Sequence, residues 1–365
     1  MNGPTVGVEE EFLLLDPRTG ENVPAAPAVA GKLPERLREQ HRREFRHSMI
    51  EMVTPVCGSL DEVRDSLLRM RQAAADGAAA AGANLVALGA TPVGEPGLTV
   101  TDDSRYRAIV GHYGPIVGDP AVCGCHVHVG VPDRETAIKV SNHLRPWLPV
   151  VQAMFVNSPF FAGADTGHAS WRSMQLDRWP GLGPTPYFES GPDLERTVRL
   201  LVGAGVMMDD SLLLWHARPS ARYPTVEVRV ADVCPSAADA VLLTALIRAL
   251  VGTALDDVAA GRRALPIPDW VLKAAHWNAA HNGLGGTLLD PSRETTRPAW
   301  ELVDELVETV TPALDRHGDL DTTYELVAAL RTVGTGTDRL RREHERAGGD
   351  LVATLAGAAR RTVAG

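Results

Sequence analysis

Five short stretches of the chain carry alternating or β-rich patterns of apolar and polar residues, and together they predict a sheet. "TVGVEEEFLLL" reads as a strand that ends at the turn signal "DPRTGE". "IEMVTPV" reads as a second strand, closed by Pro55 and Gly58. "ANLVALGATP" and "AVCGCHVHVGVP" are strand-like, and "PTVEVRVADV" is the clearest strand of the second half. Side chains alternate faces along a strand. Cys123, Cys125, Val127 and Val129 then share one face, and Gly124, His126, His128 and Gly130 the other. Glu9 and Glu11 oppose Val8, Glu10 and Phe12; Glu227 and Arg229 oppose Val226, Val228 and Val230. One device recurs: an apolar face for a core, and a face of Glu, His or Arg.

Helical periodicity fills the rest. "SLDE", Ser59 to Glu62, is a capping box opening a helix with apolar Val63, Leu67, Leu68 and Met70. A helix starts near Asp133 and runs through "ETAIKVSNHL", and Ser236 with Asp239 caps another. From about residue 236 to 365 the chain reads as mostly helical, broken at "LPIPDW", "NGLGG" and "RHGD". Strands dominate the first two-thirds. The pattern predicts an α+β fold, an antiparallel sheet with helices on one face, in a single domain over 1–365. No P-loop, dinucleotide fingerprint or internal repeat is visible.

Composition narrows the class. The formal net charge is −10, from 36 basic and 46 acidic residues, the wrong balance for a general nucleic-acid binder. Four cysteines in 365 residues make no disulfide framework. With no signal-peptide pattern in "MNGPTVGVEEEF", a cytoplasmic location is expected. The longest apolar run, "AVLLTALIRALVGTAL", holds Arg248 and falls short of a membrane span, so no membrane partner is expected.

The cysteines and histidines of "CGCHVHVG" suggest zinc, but a strand sends the two residue types to opposite faces. The sulfurs read as core. The imidazoles, roughly 7 Å apart, are either a solvated or core-satisfied pair, or part of a site. Three glutamates in an apolar strand need either an exposed edge or cations. Glu44 and Glu51 bracket a further apolar segment. Side by side, these faces would offer carboxylate and imidazole without thiolate, a donor set for Mg²⁺ or Mn²⁺. Carboxylates beside Mg²⁺ serve phosphate chemistry, and Arg229 could hold a phosphate or carboxylate bidentately.

"GVEEEF", "EMVTP", "GCHVHVG" and "PTVEVRVAD", in this order, resemble the carboxylate–amine ligases of the glutamate–cysteine ligase type 2 family, from Val6 to about Asn282. The resemblance implies a fold similar to the catalytic domain of glutamine synthetase and the guanidino kinases, with a curved antiparallel sheet forming the site. It implies ATP- and Mg²⁺-dependent joining of a carboxylate, that of glutamate, to an amine such as cysteine through an acyl phosphate. It implies metal ligands at Glu9, Glu11, Glu51 and Glu227, with Glu44 a looser match and His126 a metal or phosphate contact. His128 stands beside it on the nucleotide side, and Arg229 resembles the arginine that meets phosphate or the acyl phosphate. Asp232 is a candidate for helping the incoming ammonium lose its proton.

Weaker candidates follow. Arg172 and Arg178 lie in the Trp-rich loop Trp171–Trp179, a lid candidate that could bind the substrate carboxylate. Arg105 and Tyr106 follow a Gly/Pro loop; His276, Trp277 and Asn278 sit near a helix end, with Trp277 open to plain core packing. The family likeness places an arginine near His281, where this chain has histidine. The alternatives are a guanidino kinase-like phosphotransferase and a non-catalytic nucleotide-binding relative. The partners expected are small molecules and a second copy of the chain in a dimer.

Overall fold

In the computed structural model, which describes residues 3–97 and 99–364, the opening stretch forms β1 (Val6–Leu15), the middle of a seven-stranded antiparallel sheet. Its companions are β2 (His41–Arg42), β3 (Met49–Val53), β4 (Asn84–Val86), β5 (Gly124–Gly130), β6 (Ala217–Pro219) and β7 (Thr225–Asp232). The order is β6-β7-β5-β1-β3-β2, with β4 pairing the last residues of β1. The α+β class and the antiparallel sheet stand as the sequence predicts.

Helices cover the apolar face. They include α1 (Leu60–Ala80), α2 (Arg134–Leu144), α3 (Leu148–Met154), α5 (Ala237–Ala259) and α7 (Ala299–His317); α4 (Trp171–Leu176) and α6 (Asp269–Asn282) lie towards the other side. α5 is apolar all round, as a helix sealed in a core must be. It is long and apolar enough to cross a membrane, but 78% of its apolar window is buried against the sheet and its neighbouring helices. Val8, Phe12, Cys125, Val127, Val226 and Val228 make up the buried face of the sheet beneath these helices. α1 starts where its cap predicts, Ser59 Oγ accepting from Glu62 N–H; the Glu62 carboxylate turns to Gly58 N–H rather than closing the box on Ser59.

One glutamate of the triplet points into this core. Glu10 is 0% exposed, as is Arg71 of α1, and Arg71 Nε and Nη2 donate to its two oxygens at 2.9 and 2.5 Å. Arg71 also donates to the carbonyls of Thr362 and Cys234, so one guanidinium ties the first strand to the last helix. All four cysteines are free and buried.

Three expectations need correction. Strands do not dominate before residue 236: most of them are short, and helical residues outnumber strand residues there, because helices such as the 21-residue α1 connect and cover the strands. The mostly helical last third contains a hairpin, β8 (Thr287–Asp290) with β9 (Thr295–Pro298), just after "NGLGG". "SWRSMQL", read as loop, is the helix α4; Ser170 caps it by accepting from Ser173 N–H.

Candidate active site

The polar face of the sheet is organised by strand register into three cross-strand rows. In the first, Glu227 lies opposite His128, with Arg218 on its other side and Gly7 beyond His128. In the second, His126 faces Glu9, and Glu9 faces Val53. In the third, Glu11 faces Glu51, and Glu51 faces Arg42. Directly opposed residues have Cβ atoms about 5 Å apart, so each row is a contact set. Glu44 sits outside the strands but comes back to the end of the third row, its carboxyl hydrogen-bonded to Glu51. The sheet thus brings Glu9, Glu11, Glu44, Glu51, His126, His128, Glu227 and Arg229 together, with Arg229 on the strand of Glu227.

A bulge in β7 extends this face. Register shifts between Val228 and Ala231, so Asp232 pairs with Gly124 and turns to the polar side, where strict alternation would have sent it into the core. Gly124 is required beside it. A Cβ there would stand 2.5 Å from Arg172 Nη2 and 2.8 Å from His126 Nε2. Through that gap Arg172, from α4, reaches the cleft floor and donates to the Arg229 carbonyl at 3.3 Å.

Charge is distributed unevenly over these groups. His126 Nδ1 donates to Glu9 Oε2 at 3.2 Å, and His128 Nε2 lies 3.2 Å from Glu9 Oε1. Burial works to raise the Glu9 carboxyl, but these histidine contacts outweigh it and hold it below the usual range. Burial also works on Glu227, where Arg229 and Arg218 prevail and keep it ionised. Arg218 Nε donates to Glu227 Oε2 at 2.9 Å, and Arg229 donates to Oε1. Glu11, Glu44 and Glu51 go the other way. Burial raises all three, and the Glu44 carboxylate pushes Glu51 well above the ordinary value. Burial and Arg229 push His126 down to about 4, so its imidazole is neutral at pH 7.

This donor set fits a divalent cation. Donor atoms of Glu9, His126 and Glu227 lie within 4.8 Å of one another. His126 Nε2 is buried and has no hydrogen-bond partner among the described residues, which leaves its lone pair available. Glu44 and Glu51 crowd together in a way that only a cation or a proton relieves.

Two pockets flank the rows. The larger, about 1920 Å³ to its open rim, is lined by Glu9, Glu51, His128, Glu227 and the arginines 42, 43, 134, 199, 218 and 222. The smaller, about 840 Å³, has Glu11, His126, Arg172 and Arg229 at its floor, and Met174, Leu176, Leu214, His216, His276 and Trp277 on its walls.

The remaining candidates divide. Tyr106 lines the larger pocket, and burial with the Glu44 carboxylate pushes its hydroxyl up to about 12. Arg105 pairs with Asp209, and Arg178 with Asp119, and both arginine side chains are exposed. Asn278 accepts from Leu289 N–H and so holds the hairpin. Trp277 is 52% exposed, so it is rim rather than core packing, and His281 stacks on it at 5.1 Å. Asp232 is sealed from the pocket, its carboxylate taken by Asn157 N–H, Ser158 and Ser170. Sequence reasoning missed Arg218, although the pairing of "HARP" with "TVEV" sets it directly opposite Glu227. It also missed His216 and Gln152, whose positions carry no periodic signal.

The family model described as glutamate–cysteine ligase family 2 matches residues 5–354. A Salinispora tropica protein named for glutamate–cysteine ligase 2 is 57% identical over 358 residues, 98% of this chain and 95% of its own. A Mycolicibacterium smegmatis protein named for glutamate–cysteine ligase 2-3 is 41% identical over 98% of both chains. Among solved structures, the Francisella tularensis glutamate–cysteine ligase in complex with AMP aligns with a TM-score of 0.70 and 12% identity, covering 100% of this chain and 90% of that one. A bifunctional glutathione synthetase from Pasteurella multocida aligns at 0.69 and 15%, covering 99% of this chain and 52% of the longer one. At these identities the likeness is one of fold.

Proposed function

The chain belongs to glutamate–cysteine ligase family 2, and from that premise we propose that it joins a carboxylate, the γ-carboxylate of glutamate, to an amine with consumption of ATP. The carrying observation is the convergence of Glu9, His126 and Glu227 donors within 4.8 Å, beside the Glu11–Glu51 row. The γ-phosphoryl group passes to a carboxylate oxygen and ADP leaves. The amine nitrogen then attacks the acyl carbon, the bond to the phosphate oxygen breaks, and phosphate departs with the electron pair.

Glu9, Glu11, Glu44, Glu51, His126 and Glu227 are the residues that would hold Mg²⁺ or Mn²⁺, which when bound supplies positive charge to the phosphoryl oxygens. The arginine-lined larger pocket suits a nucleoside triphosphate, with His128 at its inner end. The smaller pocket takes the amino acid, and Arg172 and Arg229 meet its carboxylates from the floor. Arg229 is charged at every working pH, since Glu227 outweighs the cost of its burial. It stands where the acyl phosphate forms and neutralises charge there. α4 roofs this pocket with Met174 and Leu176, and Lys273 Nζ of α6 holds its end by an ion pair to Asp177 Oδ2 at 3.4 Å. An acyl phosphate needs such shelter from water. Four buried free thiols suit a reducing cytoplasm.

The test combines ATP, Mg²⁺ and glutamate with and without a pool of amines, cysteine among them. Amine-dependent phosphate release together with an amide detected by mass spectrometry is expected. A stable phosphorylated product would convert the reading to a phosphotransferase, and nucleotide binding without turnover would end it.

A further inference from the structure

Behind the smaller pocket runs a hydrogen-bonded chain whose polarity can be read from its inner end. Asp232 is 1% exposed and accepts from Asn157 N–H at 2.7 Å, Ser158 Oγ at 2.7 Å and Ser170 Oγ at 2.8 Å, with Arg172 Nη1 at 3.9 Å. With donors on every side, the carboxylate is the acceptor. A serine hydroxyl has one proton, and that of Ser170 is committed to Asp232. In the 2.9 Å contact between Ser170 and Ser173, Ser173 therefore donates. Its oxygen is left to accept, and Gln152 Nε2 donates to it at 2.9 Å.

The orientation of the Gln152 amide is thereby fixed, and its Oε1 faces His276 Nδ1 at 2.5 Å. An amide oxygen only accepts, so His276 carries its proton on Nδ1. Burial, with His216 beside it, holds His276 neutral, which leaves a lone pair on Nε2. His216 Nδ1, 3.1 Å away, must be the donor to that lone pair. The proton of neutral His216 is thus on Nδ1, and Nε2 is bare. The His216 ring lines the pocket shared by His126, Arg172 and Arg229. Its Nδ1 edge is tied back to His276, and no described residue bonds Nε2. Burial and the Arg172 charge push its pKa down to about 3, so it stays an acceptor under working conditions.

We infer that His216 Nε2 receives an N–H of the incoming amine and so orients the acceptor nitrogen towards the acyl carbon above Arg229. The inference rests on the ligase reading. Ser170, Ser173, Gln152 and His276 act through His216 as positioning residues, and Asp232 is the root that sets their direction. The sealed Asp232 then serves the acceptor through this chain, without meeting its ammonium. A pocket wall that only accepts selects nucleophiles carrying a proton on nitrogen.

Two measurements test it on the full chain. Long-range proton–nitrogen spectra of the ¹⁵N-histidine-labelled protein should show His216 with Nδ1 protonated and Nε2 bare; Gln152→Leu should lose this signature and Gln152→Glu, which keeps the accepting oxygen, should retain it. A protonated Nε2 in the parent overturns the inference. In the amide-forming assay, with the best amine of the panel, His216→Ala should raise KM for the amine roughly 10–100-fold, the loss of one good hydrogen bond, with KM for ATP unmoved. His216→Gln, with an amide oxygen near the Nε2 position, should recover part of it. Equal amine KM in a folded His216→Ala protein, against a parent that ligates, overturns the inference alone. A parent that forms no amide with any amine overturns the ligase reading and the acceptor assignment with it.

Discussion

Three consecutive glutamates take three different roles. Glu9 and Glu11 look out onto the rows, while Glu10 looks into the core and is neutralised by Arg71. The alternation of faces was legible in "GVEEEF", because it depends only on strand geometry. The partner of Glu10 was not, since Arg71 is 61 residues away on a helix whose docking angle no local pattern sets. Replacing Glu10 with Gln leaves a buried guanidinium without its counter-charge, and unfolding in denaturant should show a loss of about 3–5 kcal/mol. The double change Glu10→Leu with Arg71→Met should recover much of that loss; an additive double variant would mean that the pair is not the unit. Glu227→Gln belongs to the same scale. The fold should survive with a melting temperature lowered by several degrees, since Arg218 and Arg229 lose their counter-charge, while ATP turnover falls on the order of 10²-fold or more, as the arginine-clamped carboxylate is removed from the charge balance of the cleft. Full turnover would take Glu227 out of the proposed metal shell.

Strands were more legible than the short helix that completes the site. β1, β3, β5 and β7 all fall inside stretches of alternating or apolar residues. α4 has six residues, too few to display a period, and its start is marked only by Ser170. Yet α4 delivers Arg172, and Gly124 of β5 makes the space for it. Gly124→Ala should therefore act on chemistry more than on folding. Its new methyl meets the tip of Arg172 and the Nε2 edge of the His126 ring, so Arg172 is displaced from the floor and His126 is pressed; KM for the amino acid should rise at least severalfold with the melting temperature within a few degrees of the parent. Unchanged kinetics would show that Arg172 is not needed at that position.

Across the whole molecule, the cleft stores an electrostatic penalty that a cation would release. Glu51 illustrates the sign. Burial and Glu44 raise its folded pKa above the ordinary 4.5, so its favourable contribution is present below about that pH and fades as the pH rises through the folded value. Glu227 and Glu9, with lowered pKa values, contribute above the ordinary range and lose it only in acid. In metal-free solution at pH 7, Glu51→Gln should raise the melting temperature by on the order of 1–3 °C, and the extra stability that Mg²⁺ gives the parent should shrink or vanish. A Glu51→Gln protein that gains as much from Mg²⁺ as the parent would remove the third row from the metal site. That these rows meet at all could be anticipated from sequence only as a condition, because adjacency of distant strands is decided by the packing of α1, α2 and α5 behind them.

The irregular step between Val228 and Ala231 has an evolutionary corollary. One surplus residue there turns the remainder of the strand over and sets Asp232 opposite Gly124, within reach of Ser170. A descendant that lost that single residue would run as a plain strand and still place this aspartate opposite Gly124, so the kink can be ironed out in one deletion without taking away the anion that Ser170 leans on.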